Sequence, residues 1–205
     1  MSIPRKLETY FLNDKCIEIY VPEERAIQQL YRNNKQDAYW AKVWPASVGL
    51  CLFLEQYTHL IRDKKILELA AGLGLVGLYT AQHAKEVTIT DIEPQAASFV
   101  RQSALHLQLK NIITQTLNWK DATQMADPDV VLLSDVNYAP SMFDELQQVI
   151  ENFLQKNIRV IISTPQRLAA RVFMTRLLKH SSLQWNTIVA GDGVENEISV
   201  FVLGH

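Results

Sequence analysis

Asp135 and Tyr138 lie three residues apart in Ser134-Asp135-Val136-Asn137-Tyr138, directly after the wholly apolar run Val130-Val131-Leu132-Leu133. At that spacing in a turn, a carboxylate and an aromatic ring can face one small group. The acid attracts and orients an ammonium, and a ring face favours cations. Group transfer to such a nitrogen needs little acid–base machinery; it needs a neutral nucleophile held in line. The plainer role for Asp135 is to cap the helix expected from Ser141. A second cluster is Ala70-Ala71-Gly72-Leu73-Gly74-Leu75-Val76-Gly77, which joins the apolar segment Ile66-Leu67-Glu68-Leu69 to a helix. Gly72, Gly74 and Gly77 fit the spacing G-x-G-x-x-G. Glycines there let a ligand approach the backbone, and a helix start offers free N–H groups. Asp91 follows 19 residues after Gly72, at the end of the next strand, where it can accept hydrogen bonds from ribose hydroxyls.

Asp91 does not discriminate between ligands that carry an adenosine ribose. NAD and S-adenosylmethionine both do. Glu68 does discriminate, because a carboxylate at the strand end repels a pyrophosphate, whereas the ammonium and sulfonium of S-adenosylmethionine welcome it. The strand also runs two residues further before the first glycine than a dinucleotide turn usually allows. The methyl donor is therefore favoured over the dinucleotide. Trp40, Trp44 and Trp119 fall in loops or at element ends. Trp119 can cover an adenine ring and Trp44 can reach the other end of the ligand, although core packing is the ordinary fate of tryptophan.

The elements that must position these residues are legible as alternating patterns. Tyr10-Phe11-Leu12 and Ile17 to Val21, joined at Asn13-Asp14, predict an N-terminal hairpin. Pro45 opens a helix to about His59. Strands are expected at 66–69, 87–90, 112–117, 130–133 and 159–163, with helices at 75–83, 94–109, 141–155 and 167–180. Short, fully apolar strands between helices indicate a parallel sheet covered on both faces. The end changes character: Trp185 to Ala190 and Ile198 to Leu203 flank Gly191-Asp192-Gly193, a hairpin turn. The expected architecture is α/β, a doubly wound, Rossmann-like sheet of seven strands with an antiparallel last pair, plus the N-terminal hairpin. Residues 1–38 read as a hairpin and linker extension and 39–205 as the main domain.

The chain has 205 residues, 48% hydrophobic and 20% charged, with a formal net charge of −2. Such a balance does not favour nucleic acid as the main partner. The longest apolar run, Val43 to Leu54, is too short for a bilayer, and Met1-Ser2-Ile3-Pro4-Arg5-Lys6 has no signal core, so the expected location is the cytoplasm. Cys16 and Cys51 share no metal-like spacing with His59, His83, His106, His180 or His205; both are expected to be buried thiols, and no metal site is expected.

Taken together, Tyr39-Trp40-Ala41-Lys42-Val43-Trp44-Pro45-Ala46, the segment Ile66 to Gly77, Val87-Thr88-Ile89-Thr90-Asp91, Leu117-Asn118-Trp119 and Ser134 to Tyr138 resemble the seven-strand protein-lysine methyltransferases. That group acts on chaperones, elongation factors and electron-transfer flavoprotein. The resemblance implies the class I methyltransferase fold and S-adenosyl-L-methionine as cofactor. It implies cofactor contacts at Trp44, Ala70, Ala71, Gly72, Asp91, Trp119 and Ser134, beside Glu68 and Gly74 from the reading above. It further implies that Asp135 and Tyr138 form the Asp-x-x-Tyr element at a target lysine. The group usually has glycine where this chain has Ala70; alanine is expected to be tolerated, since it accepts most backbone conformations short of positive φ. By spacing alone, the Asp-x-x-Tyr element also resembles the Asp/Asn-Pro-Pro-Tyr turn of enzymes that methylate exocyclic amines of nucleobases or glutamine amides, but both prolines are missing. The acceptor is expected to be a protein lysine. The alternative is a small amine or pyridine metabolite, with the N-terminal segment as a lid, and a third reading is a cofactor-binding module without activity. The assembly expected is a monomer or weak dimer.

Overall fold

The computed structural model describes residues 3–33, 35–125, 127–167, 170–191 and 193–204. The turn residue Asp192, the helix start at Leu168-Ala169, Met1-Ser2 and His205 of the sequence reading lie outside them. The chain begins with the antiparallel hairpin β1 (Arg5–Leu12) and β2 (Lys15–Pro22), then α1 (Glu24–Asn33), a 3-10 segment (Lys35–Ala41) and α2 (Pro45–Gln56). There follow β3 (Lys65–Leu69), α3 (Leu75–Thr80), β4 (Glu86–Asp91), α4 (Pro94–His106), β5 (Ile112–Thr116), β6 (Val130–Ser134), α5 (Phe143–Gln155), β7 (Arg159–Pro165), α6 (Arg171–Leu178), β8 (Ser181–Gly191) and β9 (Val194–Leu203).

The seven-stranded sheet has the order β5-β4-β3-β6-β7-β9-β8. Its first five strands are parallel, and β9 runs antiparallel to both β7 and β8. The expected fold is the observed one, including the antiparallel last pair and the N-terminal hairpin. Strand alternation divides the interior into two cores. Ile66, Val130, Leu132, Ile161, Val200 and Val202 point to the face covered by α2, α3 and α4. Leu67, Leu69, Val131, Leu133, Val160, Ile162, Phe201 and Leu203 point to the face covered by α5 and α6. The hairpin contributes Leu12, Ile17, Ile19 and Val21 to the first core, and the Tyr20 N–H donates to Ser103 Oγ of α4 at 2.9 Å.

Several element ends depart from expectation for local reasons. α2 stops at Gln56, three residues early. The Thr58 hydroxyl donates back to the carbonyls of Leu54 and Glu55, at 3.2 and 2.8 Å, and the chain tightens into a 3-10 turn. α3 is only six residues long. α5 begins at Phe143, because Pro140–Met142 form a separate 3-10 turn. Cys51 is buried as expected, but Cys16 is exposed. Ile17, Ile19 and Val21 take the inward face of β2, and period-two alternation then turns Cys16 outward opposite Phe11.

Candidate active site

β3 leads by way of α3 to β4 and β5 on one side, whereas β6 pairs on the other side of β3 and leads to β7. Chain direction across the sheet therefore reverses between β3 and β6, and in open parallel sheets the crevice beyond the carboxyl ends at such a point receives ligands. A cavity of about 520 Å³ lies there. Its wall includes Trp44, Ala70, Ala71, Gly72, Gly74, Asp91, Trp119, Ser134, Asp135 and Tyr138. Every site residue expected from the sequence reaches this cavity except Glu68.

On the β3–β4 side, Asp91 is buried and organises the turn. Its Oδ2 accepts the Gly72 N–H at 2.7 Å and its Oδ1 accepts the Glu93 N–H at 2.9 Å. Burial pushes this carboxyl above its ordinary value, against the lowering effect of the bonds from Glu93, Gly72 and Ile92. Each oxygen retains a second lone pair for a hydroxyl donor. The glycines also answer to packing. A Cβ on Gly72, whose φ is +55°, would lie 3.0 Å from the Trp40 carbonyl, and one on Gly74 would lie 2.7 Å from a Val100 methyl. They admit neighbouring protein, and both also line the cavity. Ala70 has φ +50°, the left-handed region that alanine was expected to avoid. The substitution for glycine is therefore a strained one, at about 1 kcal/mol or more.

Glu68 lies beneath this turn on the α3 side of the sheet. Its Oε2 accepts the Gly77 N–H at 2.8 Å, and Oε1 is buried without a partner. Burial pushes the carboxyl up to about 8, with the Gly77 bond opposing and the Asp91 charge assisting. Burial thus works against the open negative charge that the sequence reading gave Glu68. The carboxyl also takes up one of the N–H groups of the helix start. In a dinucleotide turn the helix start presents its N–H groups to the ligand; here the Gly77 N–H is already bound to the chain's own carboxyl.

On the β6–β7 side, Ser134 ends β6, with its Oγ 3.0 Å from Ser47 Oγ of α2. Asp135 follows with φ +57° and donates its N–H to the Ser163 carbonyl of β7 at 3.0 Å. The strained turn lifts the carboxylate off the sheet end into the cavity wall. One oxygen, Oδ1, accepts from Arg167 Nη1, and the same nitrogen reaches Asn137 Oδ1 at 3.3 Å. Asn137 Oδ1 also accepts from the Thr164 hydroxyl at 2.7 Å. The Tyr138 ring meets Tyr39 edge-on at 5.3 Å, and Tyr39 meets Trp44 edge-on at 6.2 Å. Burial raises the Tyr138 phenol, helped by Asp91, Tyr39 and Asp135. Trp119 lines the opposite wall and is held by donation of its indole N–H to Glu145 Oε1 at 2.5 Å. Among the described residues no group of three or more His, Cys, Asp or Glu is placed to hold a metal ion, and no helix is long and apolar enough to cross a membrane.

Sequence reasoning missed Arg167 and undervalued Tyr39. Arg167 stands two residues beyond β7, at a carboxyl end that opens on the same crevice, and that position was the available signal. Tyr39 stood in a quoted segment, but nothing in its spacing to Tyr138 announces their contact.

Comparison with known proteins bears on this geometry. A family model described as lysine methyltransferase matches residues 26–180. Protein N-lysine methyltransferase METTL21A of Danio rerio is 33% identical over 152 residues, covering 70% of this chain and 69% of that one. Histone-arginine methyltransferase METTL23 of Mus musculus is 27% identical over 154 residues, covering 72% of this chain but only 57% of its own. Among solved structures, magnesium protoporphyrin IX methyltransferase of Synechocystis PCC 6803 with bound SAM superposes with a TM-score of 0.57 at 17% identity, covering 87% of this chain and 84% of that one. N-methyltransferase NodS of Bradyrhizobium japonicum WM9 gives a TM-score of 0.57 at 14% identity, covering 74% and 96%. The two structural likenesses speak to the fold.

Proposed function

The chain belongs to the lysine methyltransferase family, and from that premise we propose that it transfers a methyl group from S-adenosylmethionine to a lysine amine of a protein, with Asp135 and Tyr138 at the acceptor. One observation carries this reading. A single cavity joins the Ala70–Gly74 turn and Asp91 on one side to Asp135 and Tyr138 on the other. Tyr138 is 48% exposed, so the acceptor end opens at the surface, where a side chain of another protein can enter.

The residues present fit the cofactor. A cavity of about 520 Å³ is of the size that encloses a small ligand. Asp91 offers lone pairs at a position suited to ribose hydroxyls, and one N–H of the helix start, that of Gly77, is already taken by Glu68. Ala70, Ala71, Gly72 and Gly74 would hold the cofactor along its backbone side, with Trp44, Trp119 and Ser134 around it. S-adenosylmethionine, when bound, supplies a methyl group on a positively charged sulfur, which passes to a neutral amine as the carbon–sulfur bond breaks.

The chain's own task is to receive and aim that amine. Free lysine is protonated at neutral pH, with a pKa of about 10.4. The aromatic group of Tyr39, Trp44 and Tyr138 draws a cation towards the cavity mouth. Asp135 accepts a hydrogen bond from the arriving nitrogen and fixes its direction, and the proton leaves to solvent before transfer. Orientation of this kind is the main lever available, because the reaction asks for alignment rather than for a strong base. The test is incubation with radiolabelled S-adenosylmethionine and a cell lysate, followed by acid hydrolysis of the proteins. Labelled methyl-lysine is expected, and label found only in small molecules would overturn the reading.

A further inference from the structure

The Asp135 carboxylate, whose side chain is 5% exposed, already holds a cation, the guanidinium of Arg167, which is 30% exposed and lines the same cavity. We propose that Arg167 is a selectivity residue, which makes the acceptor seat favour a primary amine over a guanidinium. The proposal rests on the reading of this cavity as an acceptor site for a nitrogen nucleophile.

Two physical arguments lead there. The first is the geometry of recognition. A guanidinium binds a carboxylate best through two parallel N–H···O bonds, one to each oxygen. Arg167 Nη1 occupies Oδ1. One oxygen remains. It serves a single N–H of an amine, but it denies an incoming guanidinium its fork. The second argument is charge. Arginine cannot lose its proton in a protein, so a substrate arginine would have to stand beside Arg167 with both groups charged. An amine can shed its proton to solvent and approach as a neutral group.

Arg167 is not a loosely placed surface residue. Asn137 Oδ1 takes a bond from the same nitrogen at 3.3 Å and another from Thr164 at the end of β7 at 2.7 Å. The seat is therefore assembled from the segments that follow β6 and β7. Asp91 and Glu93 are the other acids of the cavity wall and Lys42 its other cation. Arg167 is the cation bonded to the Asp135 carboxylate, and it therefore shapes what the acid can still bind.

The test uses n-butylammonium and n-butylguanidinium chlorides as probes for the two side chains. Each is titrated into the full chain and followed by NMR shifts. The wild-type chain is expected to bind butylammonium at least as tightly as butylguanidinium. In Arg167→Gln, affinity for butylguanidinium relative to butylammonium is expected to rise about tenfold, the scale of one charge-assisted pair. An unchanged ratio in a folded Arg167→Gln overturns the proposal. So does a wild-type chain that prefers butylguanidinium, and that arm holds even if the variant fails to fold. These measurements involve no turnover. Loss of methyl-lysine formation in lysate therefore counts against the functional reading, while the cation ratio judges the role of Arg167.

Discussion

The Glu68 carboxyl ties β3 to the first turn of α3 by accepting the Gly77 N–H at 2.8 Å, leaving its second oxygen buried and unpartnered. This contact links the strand that begins the site to the helix that follows it. It also makes a titrating group part of the fold.

Stability should therefore fall with rising pH across a defined window. The folded chain holds the Glu68 proton up to about 8, whereas the unfolded chain releases it near the ordinary 4.5. Between those values the unfolded state loses its proton first, so unfolding is increasingly favoured as pH rises, by up to a few kcal/mol. Glu68→Gln should flatten this part of the profile. Urea midpoints measured at pH 5 and pH 8.5 would show it, and a variant as pH-sensitive as the wild type would count against the assignment.

Gly77→Ala should destabilise the chain by about 1–3 kcal/mol, the usual cost of overpacking. The new methyl would lie 2.5 Å from Glu68 Oε2 and 2.6 Å from Ile89 side-chain carbons. Thermal unfolding followed by circular dichroism measures the loss, and an unchanged midpoint would refute the packing argument.

Ala70→Gly should act in the opposite sense. It relieves a left-handed alanine at φ +50°, for a gain of about 1 kcal/mol after allowance for the extra freedom of unfolded glycine. Chemical denaturation is again the measurement. A loss of stability would mean that the Ala70 methyl makes packing contacts worth more than the strain.

Asp91→Ala should weaken binding of S-adenosylhomocysteine by about tenfold or more, the worth of a lost hydrogen bond to a charged group. Calorimetry reads this directly. Some stability should be lost as well, because the Gly72 and Glu93 N–H groups lose their acceptor.

Asp135→Ala should lower the rate of methyl-lysine formation about a hundredfold, as expected when a nucleophile is no longer aimed, with binding of S-adenosylhomocysteine retained. Equal losses of rate and of cofactor affinity would instead mark Asp135 as part of the cofactor's wall.

How far the sequence carried can be judged from particular residues. The sheet was legible because Val130 to Leu133 and Val160 to Ile162 are apolar on both faces, as a covered parallel strand must be, and Ile66 to Leu69 is so but for Glu68. The cavity residues were legible because they sit just past strand ends. Direction was not. Whether Glu68 looks into the crevice or beneath it depends on the pleat of β3, and the charge it carries depends on a burial that no local pattern records. The glycines were found, but their neighbours Trp40 and Val100 come from distant segments, so the packing they permit was not legible. The pairing of Arg167 with Asp135 bridges 32 residues, and no periodicity predicts a contact across a helix and a strand.

Under the proposed function, the order of the strands separates two tasks along the chain. Ala70 to Gly74 and Asp91 come from one side of the point where the sheet reverses, and Asp135, Tyr138 and Arg167 come from the other. A lineage can therefore exchange its target by rewriting the two segments after β6 and β7 while inheriting the rest intact. Descendants of such a scaffold would diverge first in whom they modify and last in what they modify with.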